Sequence, residues 1–86
     1  MSKYDKLLFL VLRGTADSNI AFEDLCSLLE KLGFEKRVRG SHHIFRRAGI
    51  MEKLNLQRDG NKAKVYQVKQ VRAVILKYKL GENIDA

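Results

Sequence analysis

His42 and His43 are the only histidines in the chain; they follow a Gly40-Ser41 pair and lead into Ile44-Phe45. Lys36, Arg37, Arg39, Arg46 and Arg47 flank them, and Glu35 is the one acid close by. Imidazole exchanges protons near neutral pH, and guanidinium and ammonium groups grip phosphate. These residue types together suit a site that binds a nucleic-acid backbone and cuts it. RNA asks least of such a site, because its 2′-hydroxyl already stands beside the phosphorus it would attack. The protein has only to move protons and neutralise charge on the phosphorane. One histidine and a few cations can do that without a metal.

Other chemistries fit these residues less well. Neighbours on a strand point to opposite faces, so His42 and His43 cannot hold one ion between them. No carboxylates stand beside them at ligand spacing, and neither a metal nor a small-molecule cofactor is expected. Ser41 as a nucleophile would need a base held by a third group, a geometry that sequence neighbours rarely reach. Cys26 falls within the apolar stripe of a helix and reads as a small core hydrophobe. His43 and Ser41 remain alternative or auxiliary groups for proton transfer. The plain alternative is that both histidines are packing or surface residues on a basic strand, in a module that binds without cutting.

Several elements must position these residues. Tyr4, Leu7, Leu8, Val11 and Leu12 recur at helical spacing, so a short helix is expected over Tyr4–Leu12. Gly14 is suited to end it, and Ser18 or Asn19 to cap the next. Phe22, Leu25, Cys26, Leu28, Leu29 and Leu32 then make an amphipathic stripe, giving a helix over 20–32 that stops at Gly33. Beyond it the period changes to two. Phe34–Arg39 reads as a half-buried strand, Gly40-Ser41 as a turn, and His42–Arg47 as a second strand. Ala48-Gly49 turns into a third strand over Ile50–Gln57, and Asp59-Gly60-Asn61 is a further turn. Lys64–Tyr66 is expected to be a short extended piece. A last helix is expected over Gln67–Lys79, with Val68, Val71, Val74, Ile75 and Tyr78 inward and Gly81 ending it. Helices packed on one face of an antiparallel three-stranded meander give an α+β two-layer sandwich.

On that alternation His43 shares a face with Phe45 under the helices, and His42 faces outward. The hairpin would bring Lys36–Arg39 and Arg46-Arg47 together at one end, crowding like charges unless something anionic offsets them. Lys62, Lys64, Lys69, Arg72, Lys77 and Lys79 form a second cationic group that could follow a phosphate backbone. Stacking platforms are few, with Tyr66 and Tyr78 the free aromatic candidates.

Length and composition agree with a single small domain of 86 residues. It divides into an N-terminal extension over 1–19, a core over 20–80 and a frayed tail over 81–86. The formal charge of +7 makes a polyanion the natural first partner. A lone cysteine fits a reducing cytoplasm. Leu7–Leu12 is too short an apolar run to cross a bilayer, and Asp5 and Arg13 on either side spoil it as a signal-peptide core. A cytoplasmic protein without membrane contact is expected.

Leu28-Leu29-Glu30-Lys31-Leu32-Gly33-Phe34, followed by Arg39-Gly40-Ser41-His42-His43-Ile44-Phe45, resembles the HicA (YcfA-like) family of mRNA interferase toxins from bacterial toxin–antitoxin pairs. Tyr66–Arg72 sits where that family has its second helix, and the resemblance spans about 20–80. It implies a fold like a double-stranded-RNA-binding domain, α-β-β-β-α, here with an extra N-terminal helix. It also implies metal-independent endoribonuclease cleavage of mRNA, neutralised by a HicB-type antitoxin that covers the site. The family's histidine after the Gly-Ser turn maps onto His42, with His43 one register away. Arg37, Arg39, Arg46 and Arg47 are then expected to bind RNA phosphate, assisted by Lys69 and Arg72. The extension and the Arg46–Gly49 link depart from the compact family pattern.

Overall fold

A computed structural model describes residues 2–83, in which the expected periodicities become three helices and two antiparallel sheets. Helix α1 runs Lys3–Arg13. Its start is fixed by a capping box: Ser2 Oγ accepts from the Asp5 amide at 3.1 Å, and the Asp5 carboxylate accepts from the Ser2 amide at 3.3 Å. Its end is fixed by Gly14 at φ 73°, whose N–H reaches the Leu10 carbonyl. Leu8 and Val11 are buried, with Tyr4, Leu7 and Leu12 packed beside them.

Helix α2, Phe22–Lys31, buries the whole predicted stripe from Phe22 to Leu32. Ser18 and Asn19 do not cap it, because Asp17–Asn19 forms a 3-10 turn and the cap falls on Ala21 without a side-chain bond. Tertiary structure supplies what the cap would have given. The Phe22 amide donates to the Asn61 carbonyl at 2.9 Å, and Ala21 bridges to Lys62.

Strands β1 (Glu35–Arg39), β2 (His42–Arg46) and β3 (Leu54–Leu56) form one sheet in that spatial order. Gly40 at φ 58° heads the two-residue turn, a position that favours glycine. Two short strands not expected from the sequence, β4 (Arg58–Asp59) and β5 (Lys62–Ala63), make a separate ribbon about the Gly60-Asn61 turn. Third-strand pairing covers only Leu54–Leu56, rather than Ile50–Gln57. The segment before it is instead bound to other groups: the Ile50 amide donates to the Arg47 carbonyl, and the Met51 amide to the Tyr78 hydroxyl.

Helix α3 spans Val65–Lys77, so Val65 and Tyr66 are helical and not extended. It stops before Gly81, with Lys79 in the left-handed region at φ 55° and a 3-10 turn over Leu80–Asn83. The expected frayed tail lies partly in that turn; residues 84–86 are outside the described residues. Val68, Val71, Val74 and Ile75 face inward and meet Phe45, Leu54 and Leu56 from the sheet and Phe22, Leu25 and Leu29 from α2 in one core. The fold is α+β, compatible with the α-β-β-β-α arrangement preceded by α1. No helix of the described residues is long and apolar enough to cross a membrane.

Candidate functional site

Register sets what each face of the hairpin carries. Glu35 pairs with Arg46, Arg37 with Ile44 and Arg39 with His42, so these six side chains share the open face of the sheet. Lys36, Val38, His43 and Phe45 share the other. Phe45 is fully buried, and its position fixes the sense of the alternation. His42 is exposed as a result, while His43 is half-buried with its ring edge-on to Phe22, centroids 4.9 Å apart.

His42 is held by two amides from the neighbouring segment. Its Nδ1 lies 3.1 Å from Asn55 Oδ1, and its Nε2 lies 3.4 Å from Gln57 Nε2. A carboxamide oxygen only accepts and a carboxamide nitrogen only donates. Both contacts therefore match one tautomer, with Nδ1 donating to Asn55 and Nε2 accepting from Gln57. Gln57 Nε2 also donates to Ser41 Oγ at 3.3 Å. The Gln57 backbone is fixed in turn by the buried Gln67 of α3, whose amide donates to its carbonyl at 3.1 Å and accepts from its N–H at 3.0 Å.

Beside His42 the open face forms a shallow groove of about 530 Å³, lined by Glu35, Lys36, Arg37, Arg39, Ile44, Arg46 and Lys53. Among the described residues, Arg37, Arg39, Arg46 and Lys53 have no acid within ion-pair distance. Lys36 leans the other way, onto Glu30 at 3.5 Å. The hairpin brings residues of both basic runs to one groove, where Arg46 stands across from Glu35 in register but, among the described residues, forms no ion pair with it.

Three expected phosphate ligands lie elsewhere. Arg47 follows β2 on the opposite face and lies along Gly33, where an added Cβ would come 3.4 Å from its Nε. Lys69 is exposed, but on the helical layer. Arg72 is committed to structure: it forms a two-pronged pair with Asp17 at 2.9 and 3.1 Å and donates to the Val11 carbonyl at 3.0 Å. Its pKa is pushed up, first by the hydrogen bonds it donates to Asp17 and, against the opposing effect of burial, by that residue's charge. Tyr78 is likewise occupied, donating to Glu52 at 2.6 Å, which leaves Tyr66 as the exposed tyrosine.

A second groove of about 330 Å³ lies at the other side of the same turn, lined by Gly40, Ser41, His43, Gln57, Arg58 and Lys64. Among the described residues, His43 Nδ1 is buried there without a hydrogen-bond partner. Arg58 pairs with Glu23 and lies over the Phe22 ring, 4.8 Å from its centroid. Cys26 is buried, and desolvation, ahead of the charge of Glu23, pushes its thiol up to about 11; it is not a thiolate at neutral pH.

Asn55, Gln57, Gln67 and Lys53 were not marked by motif or charge run. Alternation of Asn55 between Leu54 and Leu56 does turn it to the open face, but only the β2–β3 register brings it to His42.

A family model described as HicA toxin of bacterial toxin–antitoxin matches residues 22–78. No curated protein and no solved structure gives a match.

Proposed function

The chain belongs to the HicA toxin family of bacterial toxin–antitoxin systems, and from that premise we propose that it is a metal-independent endoribonuclease acting on mRNA, with His42 as its proton-transfer residue and a HicB-type antitoxin as its partner. Family membership over 22–78 leaves α1 outside the match, so α1 is read as a structural addition held by Arg72.

The observation that carries the reading is His42 itself: an exposed imidazole on the open strand face that bears Arg37, Arg39 and Arg46, its Nε2 engaged only by the Gln57 amide at a long 3.4 Å. With RNA in that groove and the Gln57 amide left to Ser41 Oγ, its other partner, Nε2 takes the proton of a 2′-hydroxyl as its oxygen bonds to phosphorus. The bond from phosphorus to the 5′-oxygen breaks, and that oxygen must gain a proton, from His42 after it has been charged or from water. The products are a 2′,3′-cyclic phosphate and a free 5′-hydroxyl. Arginines around the groove offset the charge of the phosphorane. Asn55 acts on the ring as a positioning residue, because it selects the tautomer whose Nε2 is a base.

A second reading has one specific observation in its favour. His43 lines a groove with Ser41, Arg58 and Lys64, and its Nδ1 lacks a partner among the described residues. It would serve the same chemistry from the other side of the turn.

Cleavage of end-labelled single-stranded RNA in excess chelator tests both. Losing His42 is expected to lower the rate by about 10²–10⁴-fold, the usual worth of a general acid–base group. Full activity of His42→Ala with an inactive His43→Ala variant transfers the role to His43. RNA binding without cleavage by the wild-type chain reduces the protein to a binding module. The partner is tested by coexpression: an adjacent HicB-type protein should restore growth and occlude the groove.

A further inference from the structure

Strand β1 ends the three-stranded sheet, and among the described residues nothing covers it. Every position from Glu35 to Arg39 is exposed, and Val38 on the helix-facing side retains 52% of its surface. This departs from the half-buried strand expected from the sequence, because the helices cover β2 and β3 and stop short of the edge. In an antiparallel pair, successive residues turn their N–H and C=O groups alternately toward and away from the partner strand. The two-residue loop closes on the Arg39–His42 pair, so Glu35, Arg37 and Arg39 bond to β2. Backbone groups of Lys36 and Val38 therefore face outward, and among the described residues no strand lies on that side.

An open edge invites pairing, and charge decides what this one admits. A second copy of β1 laid parallel and in register would set Lys36, Arg37 and Arg39 against their own kind, and an antiparallel copy centred on Arg37 would still set that residue against itself. A segment with carboxylates at alternate positions would instead place them beside Arg37 and Arg39, with an apolar residue between them free to cover Val38. We propose that β1 accepts an acidic extended segment of a partner protein as a fourth strand, and that the segment's carboxylates take the place of RNA phosphate along the Arg37, Arg39, Arg46 and Lys53 groove. This rests on reading that groove as the RNA face and specifies how an antitoxin would occupy it. Affinity would come from main-chain hydrogen bonds and specificity from the alternate side chains.

The test uses the full chain, isotopically labelled, and a short capped peptide alternating Glu with Val. Two controls accompany it: a Lys-for-Glu counterpart, and a copy N-methylated at alternate backbone nitrogens, which keeps the charge and blocks strand pairing. The Glu peptide alone should slow amide exchange at Lys36 and Val38, by roughly tenfold or more. Equal binding by the N-methylated copy, saturation without slowed exchange at those two amides, or no binding at millimolar peptide would each overturn the proposal. RNA cleavage by the free chain is measured in parallel. Slowed exchange without cleavage keeps the added strand and removes the nuclease reading; cleavage without slowed exchange does the reverse.

Discussion

Arg39 and Arg72 carry the same charge in one small protein and sit in opposite situations. Arg72 is four-fifths covered, grips both oxygens of Asp17 and caps the last turn of α1 through the Val11 carbonyl. Lys77 and Arg58 are similarly engaged, with Glu52 and Glu23. Arg37, Arg39 and Arg46 lie on an open strand face without an ion pair among the described residues. A cation already matched by an acid holds the fold together. A cluster left unmatched repels itself and gains most from an incoming anion. The two sets should therefore separate cleanly when each is mutated, one in RNA binding and the other in stability.

The largest expected effect lies on the sheet. Replacing Arg37, Arg39 and Arg46 together with Gln should weaken single-stranded RNA binding by about 10²–10³-fold at low salt, and flatten the plot of log affinity against log salt by about 2. Thermal stability should hold or rise slightly as self-repulsion is relieved. Fluorescence anisotropy across a salt series reads the slope. An unchanged slope would break the comparison, because the unmatched cations would then not be the ones that meet phosphate.

Arg72→Ala should do the opposite. It leaves Asp17 and the Val11 carbonyl unpaired in a largely covered position, at about 2 kcal/mol, or roughly 10 °C in melting temperature for a chain of this size. The salt slope for RNA should not move. A large loss of RNA affinity in a variant that remains folded would return Arg72 to the binding face.

This division explains how much could be read from the sequence. Periodicity located α1, α2, α3 and the hairpin, because apolar spacing and the glycines at 14, 33 and 40 are local signals. It also turned His42 outward and His43 inward, since Phe45 anchors the alternation. Pairing between distant residues was not local and was not legible. Nothing in Arg72 distinguishes it from Lys69 until Asp17 is folded against it. The backbone cap of α2 by Asn61 and the bridge from Ala21 to Lys62 depend on a contact between segments about forty residues apart. Exposure of β1 depends on where the helices end their coverage, which no single strand records.

A smaller effect sharpens the same contrast through pH. Hydrogen bonds from Tyr78, then Lys77, hold the Glu52 carboxyl at about 2, below its ordinary 4.5. A carboxylate depressed in the folded state contributes stability that is complete above the unfolded value and is lost as pH falls through the folded one. Wild-type stability should thus decline between about pH 4.5 and 2, and part of that decline should vanish in Glu52→Gln. Urea midpoints measured from pH 7 down to 2 would follow it. Curves for the two proteins that stay parallel throughout would remove Glu52 from the matched set.

Lys69 is the least conspicuous case and the most discriminating. It is exposed, has no ion pair among the described residues, and lies on the helical layer, not on the open face of the sheet. By pairing it belongs with the hairpin arginines; by location it belongs with Arg72. If lack of a partner were sufficient to make a cation a phosphate ligand, Lys69→Gln would lower the salt slope by about 0.7, one contact for a single strand. If the RNA path is set by the groove, the slope should be unchanged within error, and stability should change by less than about 0.5 kcal/mol, as for an ordinary surface substitution. The second outcome is expected, because an RNA strand lying along β1 and β2 stays on one side of the sheet while α3 packs on the other. A measurable drop in slope would mean that the strand wraps around the edge at β1, and the binding surface would then have to be redrawn to include α3.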